Sequence, residues 1–186
     1  MIIGITGFKG AGKSVAAKYL TNVHGFVPVN FKDSLIEEIK EKFPGLLHEI
    51  FMQHPVPEDT DFTIDDLFIT KPPLMRALMQ NYGTEVRRAD DPNYWVKNWS
   101  DKVHSNDSKV VTDDVRFLNE AEAVREAGGV IIRIVKNGQT STDSHASEVE
   151  MNQIEPDFTI YADEGRHDSI ADNIDRVISE IKQNND

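Results

Sequence analysis

The 186-residue chain has no cysteine, so it can form neither a disulfide nor a thiolate metal site. That absence fits a cytoplasmic protein. No apolar run approaches the ~20 residues of a membrane span, and no membrane partner is expected. Met1 leads directly into an apolar run, so no secretory leader is expected. Positive charge is scarce: 20 Lys and Arg against 32 Asp and Glu leave a formal net charge of -12. Such a chain repels a polyphosphate backbone, which argues against a nucleic-acid partner. The few bases are concentrated, however. Lys9, Lys13, Arg76, Arg87, Arg88, Arg116 and Arg133 lie in or beside the motifs described next. A local cationic pocket in an acidic chain suits a small anionic ligand.

Gly7-Phe8-Lys9-Gly10-Ala11-Gly12-Lys13-Ser14 matches G-x-x-x-x-G-K-[ST] at every fixed position. The apolar run Ile2-Ile3-Gly4-Ile5-Thr6 precedes it and the helical pattern Val15-Ala16-Ala17-Lys18-Tyr19-Leu20 follows, which is the strand, loop and helix context the motif requires. Its glycines permit a tight turn whose backbone N–H groups point inward at phosphate oxygens, and the following helix adds its dipole. Gly10, Ala11, Gly12, Lys13, Ser14 and Val15 are therefore expected to bind a nucleoside triphosphate. Lys13 would reach the terminal phosphates, and the Ser14 hydroxyl would hold Mg2+.

Further apolar runs at Phe26–Asn30, Lys109–Asp114, Val130–Val135 and Asp157–Tyr161 read as strands separated by helices. That alternation predicts an α/β fold with a five-stranded parallel sheet, right-handed crossovers and ligands at the C-terminal strand ends. Pro28 places the second strand near a sheet edge. One domain over 1–186 is expected, because no linker or repeat interrupts the chain.

From Thr70 to Arg88 a helical period of ~100° per residue puts Met75, Leu78, Met79, Tyr82 and Val86 on an apolar stripe. Arg76, Gln80, Gly83 and Arg87 form a second stripe, with the glycine as a gap through which a ligand could approach the backbone. This face suits a second anionic substrate, and Gln80 could bond a base edge. Trp95 and Trp99 share a helix face, a spacing that serves core packing as readily as a ligand platform. Asp113 or Asp114, at the end of a strand, would face Mg2+, and Arg116 would bind phosphate; N-capping of the next helix is the alternative for the two acids. No N-K-x-D sequence is present, which excludes the usual guanine-specific GTPase.

Together with the phosphate loop, several segments resemble the bacteriophage deoxynucleoside monophosphate kinases. They are Arg76-Ala77-Leu78-Met79-Gln80-Asn81-Tyr82-Gly83-Thr84-Glu85, Tyr94-Trp95-Val96-Lys97, Asp114-Val115-Arg116, Asn137-Gly138-Gln139 and His145-Ala146-Ser147-Glu148, in that order. The resemblance implies the P-loop nucleoside-monophosphate-kinase fold, with a helical monophosphate-binding region over 31–105 and a lid over 136–151. It implies transfer of the γ-phosphate of ATP to a deoxynucleoside 5′-monophosphate with Mg2+, in the host cytoplasm if phage-encoded, with a homodimer left open. On this reading Lys13, Arg116 and Arg76 are catalytic. Lys9, Phe31, Lys32, Asp33, Arg76, Gln80, Gly83, Arg87, Trp95, Arg116, His145 and Glu148 contact the acceptor. Lys136, Asn137 and Gly138 join the ATP site, and Ser14 and Asp114 serve the metal. Lids of such kinases use arginine, so Arg133 or Arg125 is expected to contribute. The rivals are a P-loop kinase of the dephospho-coenzyme A or phosphomevalonate type, and a non-catalytic nucleotide sensor.

Overall fold

The five apolar runs form one sheet: β1 (Ile2–Thr6), β2 (Val27–Pro28), β3 (Val110–Thr112), β4 (Val130–Lys136) and β5 (Phe158–Ala162). The computed structural model describes residues 1–54, 61–136, 150–162 and 168–184. Every pairing is parallel and the strand order is β2-β3-β1-β4-β5, so β1, which feeds the phosphate loop, is central. β2 lies at an edge, where Pro28 removes no bond from an inner ladder. Nine helical segments are described between and after the strands. They are α1 (Lys13–His24), α2 (Phe31–Lys42), α3 (Pro44–Gln53), α4 (Asp66–Thr70), α5 (Pro73–Gln80), a π-helix (Asn81–Arg88), α6 (Tyr94–His104), α7 (Leu118–Glu126) and α8 (Asp168–Asn184). Among the described residues no helix is long and apolar enough to cross a membrane.

Two compact units result, Met1–Phe31 with Trp99–Asp186, and Lys32–Asn98. The first contains the whole sheet. Ile3, Ile5, Ile132, Ile134 and Ile160 of the strands pack with Leu20 of α1 and with Ile170, Ile174 and Ile178 of α8. Each such buried side chain contributes about 1.5–3 kcal/mol. The second unit is all helical, and Leu35, Ile39, Leu47, Ile50, Leu67, Phe68 and Met75 form its core.

The single helix expected over Thr70–Arg88 begins only after Lys71-Pro72 and changes its hydrogen-bonding pattern at Asn81. A π-helix closes its turns one residue later than an α-helix, so side-chain phase slips along it. Val86, assigned by the α-period to the apolar stripe, is accordingly 41% exposed, whereas Met75 and Tyr82 are buried.

Candidate active site

The loop between β1 and α1 takes its shape from glycines that no other residue could replace without strain. Gly7 has φ 139°, and a Cβ there would sit 2.3 Å from the carbonyl oxygen of Ile134 in β4. Gly12 has φ 105° immediately before α1, where a Cβ would meet the side-chain ends of Ile170 at 2.8 Å and Ile134 at 3.8 Å. The Lys13 ammonium donates to the carbonyls of Gly7 at 2.6 Å and Phe8 at 2.9 Å, so it lies on the loop. No side chain caps the start of α1 and no acid occupies its first turn. Its first N–H groups are thus suited to an anion.

The Ser14 hydroxyl donates to Asp113 Oδ2 at 3.0 Å. Asp114 Oδ1 accepts the Phe31 N–H at 3.1 Å. The carboxylate beside Ser14 is therefore Asp113, whereas the resemblance had implied Asp114. Successive residues of a strand face opposite ways, and the two acids that follow β3 bond different partners, Ser14 and the Phe31 N–H. Arg116 is half-buried just after this pair. Its backbone N–H and that of Phe117 both donate to Glu120 Oε2, at 2.7 and 3.1 Å, and Glu120 is buried. An acid three residues into a helix, satisfying the N–H groups before it, is a local signal of where α7 begins.

In the helical unit, Arg76 and Gln80 remain exposed on α5, one turn apart. The other two members of their expected stripe do not stay with them. Gly83 is buried, and a Cβ there would press on Leu35 at 3.1 Å. Its carbonyl accepts the Trp95 indole N–H at 2.9 Å, and Trp95 is itself only 2% exposed. Gly83 and Trp95 thus form a packing contact, and the ligand gap read from the sequence is filled by Leu35. Arg87 donates from Nε and a terminal nitrogen to Glu38 Oε2, at 3.1 and 2.8 Å. The slipped phase of the π-helix turns it there.

Glu38 collects four partners: Arg87, Lys42 at 3.0 Å, the Tyr82 hydroxyl at 2.6 Å and the Tyr94 hydroxyl. Burial raises its pKa, but donation from Tyr82, Tyr94, Lys42 and Arg87 outweighs this and holds it at about 2, against an ordinary 4.5. Because the folded value lies below the unfolded one, this stabilisation is complete above pH 4.5 and is lost as pH falls through about 2. Glu38→Gln should therefore lower stability by about 2–3 kcal/mol, or roughly 5–10 °C in melting temperature. It should also flatten the decline of stability over that acid range, which thermal melts at stepped pH would read out. Only Lys42, one turn on along α2, is a local partner of Glu38; Tyr82, Arg87 and Tyr94 come from the π-helix and α6, which no local pattern reveals.

Arg133 and Arg125 serve the main chain. Arg133 donates to the carbonyls of Met151, at 3.0 Å, and Ile154, and burial lowers its pKa. Arg125 donates to the Glu155 carbonyl and lies 4.0 Å from Asp157. Both guanidinium groups hold the segment leading into β5, so the lid role expected of one of them finds no support in these contacts. Lys136 ends β4 and is half-buried. Asn137, Gly138, His145 and Glu148 lie outside the described residues.

Residues 58–174 match the family model described as deoxynucleotide monophosphate kinase. A protein of Acanthamoeba polyphaga mimivirus bearing that name is 33% identical over 172 residues, 83% of each chain. The chain belongs to this family. The deoxynucleotide monophosphate kinase of Escherichia phage RB69 is 33% identical over 109 residues, covering 56% of the chain and 44% of that protein. Among solved structures, dephospho-CoA kinase from Campylobacter jejuni superposes with a TM-score of 0.52 at 15% identity, covering 100% of this chain and 98% of that one. This likeness shows the P-loop kinase fold and carries no information about the acceptor. Within a kinase of this family, the expected site residues divide by environment. Lys9, Lys13, Ser14, Asp113 and Arg116 sit at the strand-end loops of the sheet unit. Lys32 and Asp33, in the first turn of α2, and Arg76 and Gln80, on α5, keep accessible surface in the helical unit. Phe31 is 3% exposed and stacks on Trp99 at 4.8 Å between ring centroids, so it joins Trp95 among the packing residues.

Proposed function

We propose that this phosphotransferase moves the terminal phosphoryl group of ATP to the 5′-phosphate of a deoxynucleoside monophosphate, with Mg2+ as cofactor. The observation that carries the reading is the family match, and it is supported by a phosphate loop in which Lys13 bonds the Gly7 carbonyl and Ser14 bonds Asp113. In the transfer, the bond between the γ-phosphorus and its bridging oxygen breaks. A bond forms from an acceptor phosphate oxygen to that phosphorus, and ADP leaves with the bridging oxygen's electrons. The acceptor needs no general base, because a monophosphate is largely deprotonated at neutral pH. Catalysis then reduces to positioning and to charge placed on the transferring group.

The loop N–H groups and Lys13 hold the donor phosphates, and Arg116 meets the charge that develops on the transferring group. Arg76 grips the acceptor phosphate, Gln80 bonds the base edge, and Lys9, Lys32 and Asp33 complete the acceptor contacts. Ser14 and Asp113 supply a hydroxyl and a carboxylate, hard oxygen donors that suit Mg2+. Among the described residues no group of three or more His, Asp or Glu could hold a metal alone. When bound, the metal neutralises charge on the donor phosphates.

A coupled assay with ATP and the common deoxy- and ribonucleoside monophosphates tests the proposal. Turnover of at least one deoxynucleotide, lost on removing Mg2+, is expected; no turnover with any of them would refute it. Arg76→Ala should raise KM for the accepted monophosphate about 100-fold, the scale of a lost charge-assisted phosphate contact, and leave KM for ATP within twofold.

A further inference from the structure

We infer that Asn30 is a positioning residue that sets which of two adjacent carboxylates faces the phosphate loop. The inference rests on the reading of Asp113 as the metal-side acid. β2 is very short. Val27 N–H donates to the Lys109 carbonyl at 2.7 Å, Pro28 has no N–H, and Val29 N–H donates to Val111 at 3.0 Å. A regular parallel ladder would next send the Asp113 N–H to the Val29 carbonyl. That carbonyl is taken: it accepts the Thr112 hydroxyl at 2.7 Å and the Trp99 indole N–H at 3.1 Å. The chain then leaves the sheet to begin α2 at Phe31.

Asn30 fills the gap. Its Oδ1 accepts the Asp113 N–H at 2.8 Å, standing in for a strand carbonyl one step past the end of the ladder. Reciprocally, Asp114 Oδ1 accepts the Phe31 N–H at the start of α2. Each strand end thus satisfies a backbone donor of the other with a side chain. With Asp113 tethered by its N–H and Asp114 by its carboxylate, the alternation of side chains leaves Asp113 Oδ2 beside the Ser14 hydroxyl. Removal of the Asn30 acceptor takes a hydrogen bond from the half-buried Asp113 N–H and loosens the backbone that aims Asp113. Groups that orient metal ligands from behind typically matter about 10- to 100-fold in metal affinity.

The test measures Mn2+ affinity, by the paramagnetic signal of the free ion, in the complex with a non-transferable ATP analogue. Asn30→Ala should weaken Mn2+ binding about tenfold, with affinity for the metal-free analogue unchanged. Trp99→Phe removes the neighbouring buried indole bonds to the Val29 carbonyl and the Thr112 hydroxyl and leaves the bond between Asn30 and the Asp113 N–H in place; it should lower the melting temperature and leave Mn2+ binding within twofold. Asn30→Asp keeps the acceptor and adds negative charge, so it should bind Mn2+ at least as tightly as the parent, which also covers the case of an alanine variant that does not fold. Asp113→Asn should weaken Mn2+ more than any of these. Wild-type Mn2+ affinity in Asn30→Ala, a tenfold loss in Asn30→Asp, or equal losses in Asn30→Ala and Trp99→Phe would each overturn the role of Asn30 while leaving Asp113 in place. Wild-type affinity in Asp113→Asn would overturn the metal assignment itself.

Discussion

Lys13→Ala should reduce kcat about 10³-fold while leaving the protein folded. A loss of that size corresponds to about 4 kcal/mol of transition-state stabilisation, more than any other single side chain at the loop is expected to supply. The ammonium is the one formal positive charge within the fixed part of the motif, and its bonds to the Gly7 and Phe8 carbonyls keep it against the loop. These bonds also brace the turn, but Lys13 is only half-buried, so their loss costs little in global stability. Lys13→Arg keeps the charge on a planar fork that cannot deliver it as a point, and should recover less than a tenth of the activity. Steady-state kinetics beside thermal melts would separate the two effects. Turnover by Lys13→Ala within tenfold of the parent would remove the loop from the chemistry.

Gly7→Ala should have the largest effect on stability. Its φ of 139° is strained for any residue with a Cβ, and the added carbon would lie 2.3 Å from the Ile134 carbonyl oxygen. Neither side can yield easily: Gly7 follows β1, and Ile134 lies within β4, which pairs with both β1 and β5. Strain and displacement together should cost about 3–5 kcal/mol and lower the melting temperature by roughly 10 °C, with loss of nucleotide binding. Gly12→Ala offers the contrast. Its clash is with the flexible end of Ile170, so it should cost about half as much by the same melts. Equal costs at both positions would show that φ alone, and not the fixed backbone of β4, governs the loop.

The phosphate loop was legible from the sequence because its requirements are local. Positive φ, inward N–H groups and one lysine at a set spacing are all specified within eight consecutive residues. The edge position of β2 was legible for a similar reason, since a missing N–H in Pro28 is a property of one residue. Of the helix expected from Thr70 to Arg88, only the part from Pro73 to Gln80 was legible. Its α-period correctly joined Arg76 to Gln80, but beyond Asn81 the wider turn carried Gly83 onto Leu35 and Arg87 onto Glu38. No residue between Asn81 and Arg88 announces that change. It is settled by Trp95 taking the Gly83 carbonyl and by Glu38 collecting two tyrosines and two bases.

The same division runs through the site. A phosphate loop, a carboxylate pair at a strand end and an arginine two residues beyond were determined by sequence alone, because each is a pattern of neighbours along the chain. Which carboxylate meets Ser14 was decided only in three dimensions. That choice depends on where β2 stops, on the Val29 carbonyl being occupied by Thr112 and Trp99, and on Asn30 taking up the Asp113 N–H. Those contacts join residues 70 to 83 positions apart, and register between distant strands is set by packing and hydrogen-bond satisfaction that local patterns do not encode.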